Sequence, residues 1–416
     1  MKRITFSDKI NGLAAEAKTD VMKYFQQIDD IALANTEKIL SAFGRHRVSD
    51  ACFAGTTGYG YNDKGRDTLD LLFADIFGTE AALVRTNFVN GTHAITSALF
   101  AALRPGETLV SVTGAPYDTL HGVIGISGGF VGSLKDYGIN YKQVELSSSG
   151  EPEFSEIAEA VRNKDVGAVF IQRSRGYSTR PALTVSDIGK ICETVHSINK
   201  SVNVLVDNCY GEFVSAAEPG NVGADIIAGS LIKNPGGGLA PTGGYVAGRK
   251  DLVEAAAHRL TAPGIGGECG SAAGGHRLLY QGLFMAPHTV AQALKTAVFC
   301  ARMMELMGYK TYPSSHEPRS DIIQTVEFGC PELLKKFCRG VQAASPIDSF
   351  VTPEAWDMPG YDNPVIMAAG TFIQGATAEL SADGPMREPY NAYIQGGLTF
   401  ESGQLGIMLA AEYLLG

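Results

Sequence analysis

The chain has 416 residues and a net charge of −10, with 45% hydrophobic and 19% charged residues. A chain of this length can bury a large core and is long enough for two domains and a helical arm. The negative charge argues against nucleic acid or an anionic membrane as the main partner. No apolar run reaches the roughly 18 residues that a membrane helix requires.

Cysteine usage and the first residues bear on location. The seven cysteines are irregularly spaced and include no Cys-x-x-Cys pair, which is typical of free thiols in a reducing compartment. The first eight residues include basic side chains with no apolar segment behind them, so no secretory signal is expected. We therefore expect a cytoplasmic protein.

His316-Glu317 lacks the second histidine of a zinc-protease motif, and no metal site is expected.

The first 77 residues predict a helical arm, a loop and a further helix. Apolar residues at helical spacing between residues 8 and 45 predict two helices, which form an arm ahead of the main domain. A glycine- and tyrosine-rich loop over residues 55–66 follows. Asp67 then opens a helix that runs to about Phe77.

From residue 81 onward, short apolar runs alternate with amphipathic helical segments. The predicted strands are Ala81–Arg85, Thr108–Thr113, Val166–Gln172, Val202–Asp207, Asp225–Ala228 and Gly243–Ala247. The predicted helices between them include Thr92–Leu103, Glu153–Arg162 and Val185–Asn199. This alternation indicates an α/β fold with a mostly parallel sheet that is covered on both faces. In such sheets, ligands bind outside the carboxyl ends of the strands.

The pattern changes after residue 264. A helical region from about Ala286 to Met307 leads into strands near Ile322–Glu327 and Phe372–Leu380, which indicates a smaller α+β domain. We therefore predict three units: a helical arm over residues 1–45, a large domain over residues 46–289 and a small carboxyl-terminal domain over residues 290–416.

Lys233 and Asp207 are the most informative residues of the sequence. Lys233 follows an apolar run and opens a glycine-rich turn, and Asp207 ends another apolar run 26 residues earlier. A lysine and a carboxylate at two strand ends are the protein groups that pyridoxal 5′-phosphate (PLP) needs. The lysine holds the aldehyde as a Schiff base, and the carboxylate keeps the pyridine nitrogen protonated. Because an ammonium cannot attack a carbonyl, the pKa of Lys233 is expected to be lowered. An ordinary surface lysine is the alternative.

Four other residues are predicted to contact the cofactor. Gly91 and Thr92 lie where a loop turns into a predicted helix, so backbone N–H groups and the helix dipole favour the cofactor phosphate there. Ser230, three residues before Lys233, adds a hydroxyl to the phosphate site. Tyr117 follows a predicted strand and is placed to stack on the pyridine ring. The alternatives are an ordinary helix cap and a loop tyrosine.

The loop over residues 55–66 carries Tyr59, Tyr61 and Arg66. Tyrosine and arginine are natural donors to a phosphate, and we expect these three to reach the cofactor of a second subunit. A solvated turn explains the same residues equally well.

Several segments together resemble the aspartate-aminotransferase-like (fold type I) PLP enzymes, within the cystathionine and methionine lyase group. The likeness is strongest to the methionine gamma-lyase-like or aluminium resistance proteins. It is carried by residues 58–67, 116–119, 172–177, 206–213, 228–238, 281–284 and 379–385. The likeness spans nearly the whole chain, and the segment through Lys233 is its most specific part.

The resemblance implies a PLP-dependent carbon–sulfur lyase that acts on a sulfur amino acid such as cystathionine, cysteine or methionine. By that likeness, the cofactor roles given above apply to Lys233, Asp207, Tyr117, Gly91, Thr92 and Ser230. Removal of the α-proton is then followed by β- or γ-elimination of a thiol. A PLP-dependent aminotransferase or aldolase, and a non-catalytic PLP-binding protein, remain as alternatives.

Two features depart from the better-known cystathionine lyases. Their Tyr-Ser-Arg motif is here Tyr59-Gly60-Tyr61, so Arg66 is expected to replace the phosphate arginine from the neighbouring subunit. Their carboxyl-terminal substrate arginine has no clean counterpart, and we expect Arg387, or otherwise Arg319, to bind the substrate carboxylate. The resemblance further implies a homodimer or homotetramer with shared active sites.

Overall fold

The computed structural model describes residues 5–358, 361, 363–375 and 377–416, which are organised around two β-sheets. The strands of the larger sheet are β1 (Ala81–Arg85), β2 (Thr108–Ser111), β3 (Asn140–Gln143), β4 (Val166–Gln172), β5 (Asn203–Asp207), β6 (Ile226–Ser230) and β7 (Gly244–Gly248). The strands of the smaller sheet are β8 (Lys310–Tyr312), β9 (Gln324–Glu327), β10 (Val365–Ala368), β11 (Ser381–Pro385) and β12 (Asn391–Gln395).

Helices pack against both sheets. Their bounds are α1 (Asp8–Arg45), α2 (Lys64–Phe77), α3 (Gly91–Ala102), α4 (Asp118–Ile124), α5 (Phe154–Ala160), α6 (Val185–Ile198), α7 (Lys250–Leu260), α8 (Arg277–Leu306), α9 (Pro331–Ala343) and α10 (Phe400–Leu415). Within the described part of the chain, none of these helices combines the length and hydrophobicity that crossing a bilayer requires.

The larger sheet has the strand order β1-β7-β6-β5-β4-β2-β3. The strands from β6 to β3 in this order run parallel, and β7 is antiparallel to both its neighbours. Every residue of β4, β6 and β7 is buried, as expected for strands whose two faces are both covered. The predicted α/β fold with a mostly parallel sheet is therefore confirmed.

The register of the parallel strands places the candidate site. Gln172, the last residue of β4, pairs with Asp207, and Asp207 pairs with Ala228 of β6. The carboxyl ends of these three strands therefore lie side by side at one edge of the sheet. Ser230 ends β6 at this edge, and Lys233 follows three residues later.

The amino-terminal arm is one continuous helix of 38 residues, so the prediction of two helices is wrong. The only glycines of α1, Gly12 and Gly44, lie near its two ends, and no proline interrupts it. The helix packs along α8 of its own chain, with ion pairs of 2.8 Å between Arg302 and Asp20 and 2.6 Å between Lys295 and Asp29. The hydrophobic stripe of α1 thus finds its partner inside the chain.

The smaller sheet is antiparallel throughout, in the order β10-β11-β12-β9-β8. The predicted strand over Phe372–Leu380 is wrong, because β11 begins only at Ser381. Glu379 turns the preceding segment into a loop by accepting hydrogen bonds from the backbone N–H groups of Phe372 and Ile373, each at 2.9 Å. Residue 290 lies inside α8, and the division into three domains stays a prediction.

Candidate active site

A cavity of about 400 Å³ lies between the carboxyl edge of the larger sheet and the smaller sheet. This volume is in the range of small-molecule sites in proteins. The lining residues that matter below are Gly91, Thr92, Tyr117, Tyr177, Asp207, Tyr210, Ser230, Lys233, Tyr361, Asp383 and Tyr393. The cavity therefore brings together the six residues of this chain that the sequence assigns to the cofactor's aldehyde, ring and phosphate.

Lys233 lies in the turn that follows β6, with its Nζ 4.0 Å from the centroid of the Tyr210 ring. This distance is a cation–π contact. Burial lowers the pKa of Lys233, but Cys209, Tyr210, Asp207 and Glu212 together raise it above its ordinary value. The lowered pKa that the sequence predicts is therefore not produced by the groups of this chain. The reason is that acidic side chains surround the amine and favour its charged form.

Asp207 ends β5 and is 6% exposed. Its Oδ1 accepts a hydrogen bond from the backbone N–H of Cys209 at 3.1 Å. Burial raises the pKa of the Asp207 carboxyl, and the charge of Lys233 opposes this rise. Because a buried carboxylate is stable as an anion only beside a positive group, Asp207 suits either Lys233 or a protonated ring nitrogen in the cavity.

The amino-terminal end of α3 forms an anion-binding corner of the cavity. Asn90 caps the helix, and its side chain accepts from the backbone N–H of His93 at 2.9 Å. The first N–H groups of a helix have no acceptor inside the helix, so those of Gly91 and Thr92 are available to an anion. A Cβ on Gly91 would lie 3.0 Å from the Cβ of Ser230, so only glycine lets the helix end approach β6 this closely.

These residues fit PLP. The cavity offers a lysine amine for the aldehyde, a buried carboxylate for the ring nitrogen and a helix end with a hydroxyl for the phosphate. Tyr117 lies in the lining, with its backbone N–H held by Oε1 of Gln172 at 2.6 Å, where an aromatic ring could stack on the cofactor. The roles of these residues toward the cofactor stay predictions.

Four tyrosines and an aspartate form a polar aromatic cluster in the cavity. Asp383 and Tyr393 belong to the smaller sheet, whereas Tyr117 and Tyr177 lie in the segments that follow β2 and β4. Tyr177 donates a hydrogen bond to Oδ2 of Asp383 at 3.0 Å, and the hydroxyls of Tyr117 and Tyr361 are 3.0 Å apart. The Tyr177 ring lies 4.9 Å from the ring centroid of Tyr393. Burial raises the pKa of Asp383 to about 6, against the hydrogen bond from Tyr177 and the charge of Lys233.

No sequence motif predicted a role for Asp383, Tyr177, Tyr361 or Tyr393. A signal was nevertheless present, since Tyr177 and Asp383 lie in two of the segments that carry the family resemblance. The two residues are separated by 206 positions along the chain, and they meet because the segment after β4 contacts β11. Tyr361 and Tyr393 lie outside all of those segments.

The loop over residues 55–66 presents its tyrosines and hides its arginine. Tyr59 and Tyr61 are 74% and 60% exposed, and their rings stack at 5.5 Å. Arg66 is 2% exposed, and its guanidinium donates to the carbonyl of Gly60 at 2.7 Å and pairs with Asp67 at 2.9 Å. In this arrangement Arg66 holds the loop together and does not face outward, and a role of the three residues in a second subunit stays a prediction.

Neither arginine predicted to bind the substrate carboxylate lines the cavity. Arg387 is exposed in the turn after β11, where it donates to the carbonyl of Tyr177 at 3.4 Å and lines a neighbouring cleft. Arg319 is half-buried, and it donates to Oε1 of Gln324 at 2.6 Å. Burial lowers the pKa of Arg319 to about 10. As the chain is arranged, the geometry supports neither assignment.

Comparisons with known proteins agree with the chemistry that the site residues indicate. The family model of methionine gamma-lyase matches residues 10–415. The YnbB protein of Bacillus subtilis is 48% identical over 413 residues, which are 99% of this chain and 98% of that protein.

Two solved structures are similar over nearly their whole length. A carbon–sulfur lyase involved in aluminium resistance from Clostridium novyi is 53% identical with a TM-score of 0.95, covering 98% of this chain and 96% of that one. A Clostridium acetobutylicum protein, proposed to be a cystathionine beta-lyase involved in aluminium resistance, is 51% identical with a TM-score of 0.95 and the same coverage.

Proposed function

Because the chain belongs to the methionine gamma-lyase family, we propose that it is a PLP-dependent lyase that breaks a carbon–sulfur bond in a sulfur-containing amino acid. The observation that carries this proposal is the meeting of Lys233 and Asp207 in one cavity, beside the anion-binding end of α3. The products are a thiol (hydrogen sulfide in the case of cysteine), ammonia and a 2-oxo acid, which is pyruvate after β-elimination and 2-oxobutyrate after γ-elimination of an unbranched substrate.

Each residue has a distinct part in this reaction. Lys233 would hold the cofactor covalently, Asp207 would pair with its ring nitrogen, and Gly91, Thr92 and Ser230 would bind its phosphate. When bound, PLP supplies an electron sink that makes the α-proton of an amino acid acidic. Tyr117 would cover one face of the ring.

The Nζ of Lys233 is the group that we propose to remove the proton from the substrate Cα. It must be a neutral amine to do so, and its pKa must lie near the working pH. In the chain by itself, the surrounding acidic groups, the Asp207 carboxylate among them, raise the pKa of this amine and favour the ammonium. When Asp207 is instead paired with a pyridinium nitrogen, its charge no longer stabilises the ammonium, so the pKa of Lys233 falls toward the value that proton transfer needs.

Two further properties belong to the proposal. Exposed and stacked Tyr59 and Tyr61 are suited to contact a second copy of the chain, which supports a homodimer or homotetramer with shared sites. All seven cysteines are free, which supports a reducing location such as the cytoplasm.

The test has two arms. Borohydride reduction of the holoenzyme followed by peptide mass mapping should place the cofactor on Lys233, and a label on any other lysine would refute that assignment. Release of thiol and 2-oxo acid from L-cystathionine, L-cysteine and L-methionine should be abolished in Lys233→Ala. Lys190→Ala, which changes a lysine on the outside of α6, is the matched control and should remain active.

The same assays separate the alternative functions. Transfer of the amino group to an added 2-oxo acid without thiol release would identify an aminotransferase. Retro-aldol cleavage of a β-hydroxy amino acid would identify an aldolase. Cofactor bound at Lys233 with no turnover of any amino acid would identify a non-catalytic PLP-binding protein.

A further inference from the structure

Asp383 is a carboxylate of the cavity that the proposed chemistry does not use. It lies in the middle of β11, is 3% exposed and lines the cavity that contains Lys233. Its Oδ2 accepts from the Tyr177 hydroxyl at 3.0 Å, while its Oδ1 has no hydrogen-bond donor among the described residues. A buried carboxylate with an unpaired oxygen is costly unless a donor or a cation satisfies it.

Under the proposed function, the cation of the cavity is not free to pair with this carboxylate. Among the lining residues in the described part of the chain, Lys233 is the single positively charged side chain. Under the proposed function, Lys233 is committed to the cofactor and Asp207 to the ring nitrogen. Asp383 is then left as a carboxyl group whose cation has to arrive with the substrate. In the chain by itself, burial raises the pKa of Asp383 to about 6 despite the opposing charge of Lys233, and a cation beside its unpaired Oδ1 would favour the ionised form.

The aromatic surroundings of Asp383 also favour a cation. The rings of Tyr117, Tyr177, Tyr361 and Tyr393 contact one another with centroid distances from 4.9 to 6.1 Å. Faces of aromatic rings attract cations, and cages of aromatic rings are a recurring way of binding ammonium ligands. Because all four rings are tyrosines, their hydroxyls also keep the wall polar enough to accept a charged group.

We propose that Asp383, with the tyrosines around it, is the specificity site for a second ammonium group at the far end of the substrate side chain. This inference rests on the proposed function, since it assumes that the α-amino group of the substrate is engaged at Lys233. The predicted substrate is a thioether amino acid that carries a distal amine, in preference to one whose side chain ends in an uncharged alkyl group.

A matched pair of compounds tests this directly. S-(2-aminoethyl)-L-cysteine and S-propyl-L-cysteine have the same length and differ in one terminal group, an ammonium in place of a methyl. With water, both yield pyruvate and ammonia on β-elimination, together with cysteamine or propanethiol. The corresponding homocysteine pair covers γ-elimination. A charge-assisted hydrogen bond predicts that kcat/KM of the wild-type holoenzyme is about 10- to 100-fold higher for the ammonium compound of each pair.

The variant Asp383→Asn keeps the shape of the side chain and removes its charge. It should reduce the preference to within about 2-fold by raising KM for the ammonium compound, since a neutral amide cannot pair with ammonium. The readout is the ratio of kcat/KM for the two compounds, so a general loss of activity in the variant does not affect it. Glu388→Gln, which removes an exposed carboxylate in the turn after the same strand, is the control and should keep the full preference.

Several outcomes would overturn the inference. Equal kcat/KM values for the two compounds in the wild-type enzyme would do so without any variant, which covers the case in which Asp383→Asn does not fold. An unchanged preference in a folded Asp383→Asn, judged by its melting temperature, would do so as well. If no compound releases a 2-oxo acid, the proposed function is wrong, and dissociation constants from calorimetry then decide whether Asp383 still selects the ammonium compound.

Discussion

Gly91 lies so close to Ser230 that the cost of adding a side chain at residue 91 can be calculated from the structure. Gly91 is the first residue of α3, and a Cβ added there would lie 3.0 Å from the Cβ of Ser230 and 3.7 Å from Sγ of Cys209. Carbon atoms pack best at roughly 3.5–4.0 Å. Gly91→Ala is therefore short of space by about 0.5 Å. Because the Cβ of Ser230 is fixed to its backbone, no side-chain rotation relieves the contact, and α3 or β6 has to move.

The cost of this movement follows from two opposing terms. Overpacking a well-filled site costs about 1–3 kcal/mol, and replacing glycine by alanine in a helix returns about 0.5–1 kcal/mol. We expect Gly91→Ala to lower the free energy of unfolding by about 0.5–2 kcal/mol, measured by urea denaturation. Gly12→Ala is the matched control, since a Cβ at Gly12 in α1 has no neighbour within 4 Å and should be stabilising.

The cofactor affinity should respond separately. Displacing the end of α3 misplaces its N–H groups, and the loss of one charge-assisted hydrogen bond corresponds to at least about a 10-fold weaker PLP affinity in a fluorescence titration. In the double variant Gly91→Ala/Ser230→Gly the crowding is gone, so stability should recover more than additively. The affinity should not recover, because the Ser230 hydroxyl is lost. Additive stability effects, or a Gly91→Ala enzyme with unchanged PLP affinity, would refute the reasoning.

Three further predictions concern charge and assembly. Asp207→Asn should fold and bind PLP but lose roughly 10²-fold or more in kcat, because an amide cannot hold a pyridinium proton; near-normal release of 2-oxo acid would contradict this. The hydrogen bond to Asp225 raises the pKa of His196 above 6.5, so this pair stabilises the fold below that pH and loses its effect as the pH rises through the folded-state value. His196→Gln should therefore cost about 0.5–1 kcal/mol in urea denaturation at pH 6 and less at pH 8.5, and an equal loss at both values would count against it. Sedimentation should show at least a dimer, weakened by Tyr59→Ala/Tyr61→Ala, and a fully active monomer would end the claim of shared sites.

Local pattern was enough to predict the part of the site that lies on the larger sheet. Six apolar runs, with helical segments between several of them, predict a mostly parallel sheet, and the carboxyl-edge rule then brings Asp207 and Lys233 together without any knowledge of tertiary contacts. The strand Val166–Gln172 was predicted with its observed bounds. The secondary structure of these segments depends mainly on residues that are close along the chain.

What the sequence did not predict depends on contacts between distant segments. Arg66 lies in a polar, glycine-rich loop, which favours exposure, yet carbonyl groups of Gly60 and of Gly270, 204 residues away, bury its guanidinium. The segment from Phe372 has the β-branched and apolar residues of a strand, but Glu379 satisfies its backbone N–H groups and removes it from the sheet. The contact of Asp383 with Tyr177, in the segment that follows β4, could not be predicted from its neighbours along the chain.

The two sides of the cavity come from different sheets and carry different proposed roles. Lys233 and Asp207 are fixed by the ends of buried parallel strands, whereas Asp383 and Tyr393 belong to the antiparallel sheet. The hydrogen bond from Tyr177 to Asp383 joins the two sides. If Asp383 selects the substrate as we propose, substitutions on the antiparallel side should change substrate preference without disturbing the groups that hold the cofactor. On this reasoning, Asp383→Asn should alter substrate preference while PLP affinity stays unchanged, and a parallel loss of both would show that the two sides are not separable.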